Sequence, residues 1–194
     1  MKAVLARLYL LRYLLLFLVF AGSHSYGAVL KYSVSGLEDE ALDNVQAWLG
    51  DPPETAQARS NFLFTAEDRV NSALRAIGYY QADIQLSVVR EEPVWKLEVT
   101  VAAGDQVKIR SVDVQVSGEA EQDKAFVELL SDIPLRIGNP LHHGEFDGFR
   151  RRIQSLGLRR GYFSGEITRS FVAVEPRGNT ADIELHYSSG NRHL

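Results

Sequence analysis

Alternating and helical hydrophobic patterns follow one another along the first half of the sequence. Apolar and polar residues alternate in Val29–Ser35, "VLKYSVS", as is typical of a half-buried strand. Leu37–Leu49 instead carries apolar residues at helical spacing, and a second helix is predicted to begin with Thr65 as its N-cap. Alternation returns in Tyr80–Arg90 and Val94–Ala102, which predicts two further strands joined by a short turn. The predicted order is β-α-α-β-β.

The same order is predicted a second time in the rest of the chain. The predicted elements are a strand at Ile109–Ser117, helices at Asp123–Leu130 and Leu141–Arg160, and strands at Tyr162–Val174 and Thr180–Tyr187. Glycines punctuate both copies at matching distances, 42 residues from Gly36 to Gly78 and 43 residues from Gly118 to Gly161. We therefore predict an α+β protein of two tandem β-α-α-β-β modules, each a three-stranded mixed sheet covered by two helices. The modules are placed at residues 28–105 and 106–190, and the short connection between them predicts a semi-rigid tandem.

A short motif marks the step from the second helix to the second strand in each module. It reads "GYYQADI" from Gly78 and "GYFSGEI" from Gly161. A glycine can leave a helix with positive φ at little steric cost, and the aromatic pair that follows can cover the helix end and enter the core. We therefore interpret the motif as a structural corner rather than as a binding pocket for its rings. The corner residues are Gly78, Tyr79, Tyr80, Gly161, Tyr162 and Phe163.

The first 27 residues have the order of a secretory signal. Lys2, Arg7 and Arg12 precede the apolar run "YLLLFLVFA", and small and polar residues follow it. The apolar run is roughly half of the about 20 residues that a helix needs to cross a bilayer. We predict cleavage after Gly27 and export to a Gram-negative periplasm, with an uncleaved N-terminal anchor as the alternative. Loss of the three basic residues would change the formal charge from -4 to -7.

The sequence shows no set of residues that is typical of a catalytic site. The chain has no cysteine, which excludes disulfides and thiolate chemistry, and its formal charge of -4 does not suit a nucleic-acid backbone. His142 and His143 would point about 100° apart on a helix, so a shared metal site is not predicted. Arginines cluster at residues 150–152 and 159–160; we interpret them as a solvated helix face, with an acidic partner or anionic lipid headgroups as the alternative. We predict a protein that is not an enzyme and needs no cofactor.

The predicted sheets leave edges at which another chain could pair. An edge strand presents unpaired N–H and C=O groups, and strand addition tolerates varied guest sequences because the affinity comes from the main chain. Tyr80–Arg90 and Tyr162–Val174 are the longest predicted strands and are the candidate edges for a partner or an unfolded substrate. The candidate contact residues are Tyr80, Asp83, Gln85, Ser87, Val89, Glu166, Thr168 and Ser170.

An exported tandem of β-α-α-β-β modules with this corner resembles the POTRA (polypeptide-transport-associated) domain family. The matching stretches are Leu74–Ile84, Leu158–Ile167 and "GNPL" at Gly138–Leu141. The stretch "VLKYSVSGLEDEALDNVQAWL" after the signal further resembles the N-terminal part of the TamA family, the outer-membrane subunits of the translocation and assembly module.

That resemblance implies a periplasmic scaffold for outer-membrane protein assembly and autotransporter secretion. It implies two kinds of partner, a TamB-like protein anchored in the inner membrane and unfolded outer-membrane proteins. TamA-like proteins carry three POTRA domains and a C-terminal barrel, so residues 191–194 are expected to begin a third module and the barrel is not expected within these 194 residues. The alternatives are a membrane-anchored structural protein of the division type and a fragment of a two-partner-secretion transporter.

Overall fold

The computed structural model describes residues 28–193, and the signal predicted at residues 1–27 lies outside the described part. The elements of the first module are β1 Val29–Ser35, α1 Asp39–Leu49, α2 Ala56–Ala76, β2 Asp83–Glu91 and β3 Val94–Ala102. Those of the second module are β4 Lys108–Ser117, α3 Lys124–Ser131, α4 His143–Arg159, β5 Glu166–Glu175 and β6 Thr180–Ser188. No helix in the described part is both long and apolar enough to span a membrane.

Each module contains one three-stranded sheet in which the last strand of the module is central. The strand order is β1-β3-β2 in the first sheet and β4-β6-β5 in the second. The first strand of each module runs parallel to the central strand, and the second strand runs antiparallel to it. The predicted α+β class, with two tandem β-α-α-β-β modules and mixed sheets, is therefore confirmed. Because β3 and β6 are central, β2 and β5 each lie at the edge of a sheet.

Two separate hydrophobic cores lie between the sheets and their helices. In the first core, Leu97 and Val99 of β3 alternate inward and are almost fully buried. In the second core, the ring of Phe126 stacks on that of Tyr187, with a distance of 5.8 Å between the ring centroids. Each module therefore buries apolar residues of its own, which is why the hydrophobic pattern repeats along the sequence.

The second helix begins earlier than the sequence predicts. Its N-cap is Thr55 rather than Thr65, because the Thr55 side chain accepts a hydrogen bond from the Ala58 amide at 3.2 Å. Thr65 lies inside the helix and donates its hydroxyl to the Asn61 carbonyl at 3.0 Å. Both threonines offer the same capping chemistry, but the segment before Thr65 contains Phe62, which is buried in the first core. Core packing therefore extends the helix through a stretch that looks polar in sequence.

The second strand of each module begins later than the sequence predicts. β2 begins at Asp83 rather than Tyr80, and β5 begins at Glu166 rather than Tyr162. In both modules the residues between the corner glycine and the strand form the turn itself, so they are not available for the ladder. At ten residues, β4 is as long as β5, so β2 and β5 are not the two longest strands.

Candidate functional site

The edge strand β2 offers an uninterrupted backbone to a guest chain. Its nine residues pair with β3 in a continuous antiparallel register. The candidate contact residues with exposed side chains along this strand are Asp83, Gln85, Ser87 and Val89. The alternate, half-buried side chains that pack against the first core are Ile84, Leu86 and Val88. The edge is therefore mostly polar on its outer face and apolar on the face toward the helices.

A bulge interrupts the other candidate edge strand, β5. The register against β6 shifts between Ile167 and Arg169, so Thr168 has no partner of its own in the ladder. The Thr168 hydroxyl instead donates to the His186 carbonyl at 3.4 Å. A bulge breaks the regular line of backbone groups along an edge and is a common protection against pairing with another chain.

The bulge also changes the direction of the side chains that follow it. Strict alternation along a strand would place Glu166, Thr168 and Ser170 on one face. In the structure, Ser170 pairs with the buried Leu185 and so lies on the helix side of the sheet. The Arg150 guanidinium of α4 donates to the Ser170 hydroxyl there at 3.3 Å. The three candidate residues of β5 therefore do not form one contact surface.

Ion pairs cover the outer face of the second sheet. The Arg110 Nε donates to the Asp182 carboxylate at 2.9 Å, and Arg169 pairs with Glu184. The hydrogen bond from Arg110, with a second one from Ser111, lowers the pKa of Asp182 to about 2. These exposed pairs contribute little to stability, but they make this face strongly polar.

The first corner is also the place where the second module packs against the first. Gly78 has a φ of 92°, and a Cβ at this position would lie 2.6 Å from the Leu141 carbonyl oxygen. Tyr79 packs against the first core, whereas Tyr80 packs against the second core. The Tyr80 hydroxyl lies 2.6 Å from the His143 Nε2 at the start of α4. Tyr80 is therefore a residue of the module junction and lies outside the edge strand β2.

Hydrogen bonds from both modules hold this junction together. On the main chain, the Val107 N–H donates to the Gly78 carbonyl at 2.9 Å. The side-chain contacts between the modules include Gln81 Nε2 with Asn179 Oδ1 at 2.9 Å and His142 Nε2 with Glu40 Oε1 at 3.1 Å. The sequence did not predict the junction contacts of Gln81, Asn179 and Glu40. The local sequence around a single polar residue does not indicate that its side chain contacts the other module.

The second corner repeats the backbone of the first but has different surroundings. Gly161 has a φ of 87°, and its carbonyl accepts a hydrogen bond from the His193 N–H at 2.8 Å. Tyr162 is buried in the second core, while Phe163 is 66% exposed. The two copies of the motif therefore share a turn, and their second aromatic residues meet different environments.

The two adjacent histidines contact the first module. His142 meets Glu40 and His143 meets Tyr80, as described above. Among residues 28–193, no cluster of three or more His, Asp or Glu side chains is arranged to hold a metal ion. Burial lowers the pKa of His143; Asp147 opposes this effect and His142 adds to it. The position of His143 at the N-terminal end of α4 also disfavours a positive charge.

Acidification is expected to weaken the junction through His143. The pKa of His143 is lowered when the modules are packed. The contribution of neutral His143 to folding stability is therefore complete above the ordinary pKa of about 6.5, and it is lost as the pH falls from there through the lowered folded-state pKa. We expect His143→Gln to cost about 0.5 to 1 kcal/mol at neutral pH and to reduce the loss of stability on acidification. Urea unfolding at about pH 7.5 and about pH 5.5 measures both effects, with His186→Gln as a control outside the junction. An unaltered pH dependence in His143→Gln would contradict this assignment.

The sequence of the first module matches a known family. The family described as POTRA domain, TamA domain 1, matches residues 31–103, which run from within β1 to the end of β3. Residues 31–103 therefore match a POTRA domain. The second module has the same element order and the same sheet topology as the first.

Solved structures of BamA and Omp85 proteins match this chain at low sequence identity. POTRA3-5 of BamA from Haemophilus influenzae is 20% identical with a TM-score of 0.48, over 88% of this chain and 69% of that one. The N-terminal domain of Omp85 from Thermosynechococcus elongatus is 19% identical with a TM-score of 0.38, over 82% of this chain and 61% of that one. BamA from Haemophilus ducreyi lacking POTRA domains 1-3 is 15% identical with a TM-score of 0.44, over 86% of this chain and 29% of that one. The assignment of the POTRA domain rests on the family match at residues 31–103.

Proposed function

We propose that this chain is a periplasmic POTRA scaffold for outer-membrane protein assembly, including autotransporter secretion. The support is the POTRA domain at residues 31–103 together with the sheet edges that the two modules leave open. In this proposal the chain acts by holding partners and unfolded substrates, and it catalyses no reaction. Export through a signal at residues 1–27, and module boundaries near residues 105 and 190, belong to the same proposal.

The observation that carries this proposal is the uninterrupted edge of β2. Successive residues of an edge strand direct their backbone groups to opposite sides, so about every second residue offers its N–H and C=O to a guest. Between Asp83 and Glu91 neither a bulge nor a proline breaks this series. The bulge at Thr168 makes β5 the less suitable edge. We therefore place the guest strand along β2.

The two faces of β2 favour a guest with an alternating sequence. On the helix side, a guest strand would lie beside the apolar row that includes Leu86 and Val88. On the outer side, it would lie beside the polar row that includes Gln85 and Ser87. Apolar and polar residues alternate in the strands of outer-membrane barrels. An unfolded barrel protein therefore offers the pattern that this edge fits.

Removing an outward N–H group from β2 is expected to weaken guest binding by about tenfold or more. Ser87→Pro and Val88→Pro test both directions, because neighbouring residues direct their N–H groups to opposite sides. The variant that loses an N–H pointing away from β3 should remain folded. The variant that loses an N–H bonded to β3 should destabilise the first module. Binding is measured by fluorescence anisotropy with a labelled synthetic peptide that copies one strand of an outer-membrane barrel.

The matched control for this experiment is Ser170→Pro on β5, which should leave peptide binding unchanged. Circular dichroism identifies which proline variant of β2 remains folded. If that folded variant binds the peptide as tightly as the unchanged chain, strand addition at β2 is excluded. If Ser170→Pro alone weakens peptide binding, the guest strand pairs with β5 and not with β2.

We further propose a TamB-like protein anchored in the inner membrane as the partner of the first module. The support is the match of residues 31–103 to domain 1 of TamA. The site of action would be the periplasmic face of the outer membrane, with attachment through the barrel that TamA-like proteins carry. Retention of a soluble TamB-like fragment by the immobilised chain tests this partner. A lack of retention would exclude a TamB-like partner, and it would leave the proposal of peptide binding at β2 intact.

A further inference from the structure

A groove runs between the two helices of the second module. Its volume is about 620 Å³, and α3 and α4 form its two walls. Leu129 and Leu156 are half-buried and form an apolar floor. The exposed charged residues of the walls are Arg152 and Arg159 on the α4 side and Glu128 and Asp132 on the α3 side.

A hydrogen bond joins α3 and α4 at one end of the groove. In the first module, the ties between α1 and α2 are Asn44 Nδ2 to the Ala73 carbonyl at 2.6 Å and Arg69 to the Leu49 carbonyl at 3.1 Å. In the second module, Arg160 at the end of α4 donates to Asp123 at the start of α3 at 3.0 Å. This bond lies beside Ala125 and Arg159 of the groove lining, and the groove extends from there along both helices to Asp132 and Arg152.

The arginines of the groove are available to a partner. Arg150, on another face of α4, is already paired with Asp147 at 2.9 Å. Within residues 28–193, neither Arg152 nor Arg159 lies within salt-bridge distance of a carboxylate. The Arg152 guanidinium lies 5.5 Å from the centre of the Phe149 ring, a cation–π contact that helps to hold it in place.

We propose that this groove binds an amphipathic helix of a partner protein, with an apolar ridge and an acidic flank. The ridge would cover Leu129 and Leu156, and the acidic flank would face Arg152 and Arg159. The two arginines are seven residues apart on α4, so they lie about 10 Å apart along its axis, which is two helical turns. Carboxylates two turns apart on a guest helix match this separation, and the guest would form a third helix on the pair.

The charges of the groove favour a helix over a membrane surface. Arginines alone would suit anionic lipid headgroups, but Glu128 and Asp132 on the opposite wall repel them. A helix can carry different residues on its two flanks, so it can turn its acidic flank to α4 only. The groove lies in the helix layer, so this proposal does not depend on strand addition at β2.

The test uses a synthetic helical peptide of about 18 residues, with a leucine ridge, glutamates on one flank and serines on the other. Fluorescence anisotropy should show saturable, micromolar binding to the exported chain. The double variant Arg152→Glu with Arg159→Glu is expected to bind about tenfold more weakly or worse. A second peptide with glutamines in place of the glutamates should bind the unchanged chain equally weakly.

The matched control is Arg151→Glu with Arg177→Glu, which reverses the same amount of charge at exposed residues outside the groove. Equal weakening in both double variants would show a general charge effect and overturn the proposal. Displacement of the peptide by vesicles containing phosphatidylglycerol would overturn it in favour of a lipid surface. Self-association that depends on Arg152 and Arg159 would overturn it in favour of a second copy of the chain.

Discussion

Replacing Gly78 with alanine is expected to open the junction between the two modules. Its φ of 92° is left-handed and costs an alanine about 1 kcal/mol. The added Cβ would also lie 2.6 Å from the Leu141 carbonyl oxygen, which belongs to the backbone and cannot swing away. We expect a loss of about 2 to 4 kcal/mol in the free energy of unfolding, or separation of the modules where they move apart to avoid the clash. Urea unfolding measures the first result and small-angle X-ray scattering the second.

Gly138→Ala provides the control for this prediction. Gly138 has a φ of 88°, and nothing lies within 4 Å of a Cβ built there. Its replacement carries the same left-handed cost without the clash, so a loss of about 1 kcal/mol is expected. Equal losses in the two variants, with unchanged scattering, would show that the contact between Gly78 and Leu141 does not hold the modules together.

The order of elements can be predicted from the sequence because each module buries its own apolar residues. The inward row of β3 that alternates in sequence and is buried in the structure is Leu97, Val99 and Val101. The stripe of α4 that recurs at helical spacing and is buried is Phe146, Phe149 and Ile153. Periodicity of this kind is a direct consequence of burying one face of an element, so it can be recognised in the sequence without the tertiary structure.

The candidate surfaces are harder to predict because they depend on contacts between distant residues. Tyr80 and Phe163 occupy the same position of the repeated motif, yet Tyr80 packs against the second core and Phe163 is exposed. The bulge at Thr168 adds a single residue to a strand, and nothing in the local pattern of that strand marks it. A sequence pattern reports whether a residue is apolar and where it falls in a repeat. It does not report which surface the residue meets.

Replacing Asp123 with alanine is expected to destabilise the second module by about 3 kcal/mol. The buried Asp123 carboxylate is the N-cap of α3 and accepts hydrogen bonds from the Ala125 amide at 3.0 Å, the Arg160 Nε at 3.0 Å and the Tyr162 hydroxyl at 3.2 Å. Alanine would leave the buried Tyr162 hydroxyl without this acceptor and Arg160 without its counter-ion. Urea unfolding measures the loss. The control Asp132→Ala, at an exposed aspartate beyond the other end of α3, should change stability by less than about 0.5 kcal/mol.

Acid titration tests the same network independently. Burial by itself would raise the pKa of Asp123, but the hydrogen bonds from Arg160, Ala125 and Tyr162 outweigh it and hold the pKa below its usual value. The contribution of the carboxylate is therefore complete above the unfolded-state pKa of about 3.9 and is lost as the pH falls through the lower folded-state value. Below about pH 4, the unchanged chain should lose stability more steeply than Asp123→Asn. Parallel pH curves for these two chains, or a loss below about 1 kcal/mol in Asp123→Ala, would mean that Asp123 does not join the start of α3 to the end of α4.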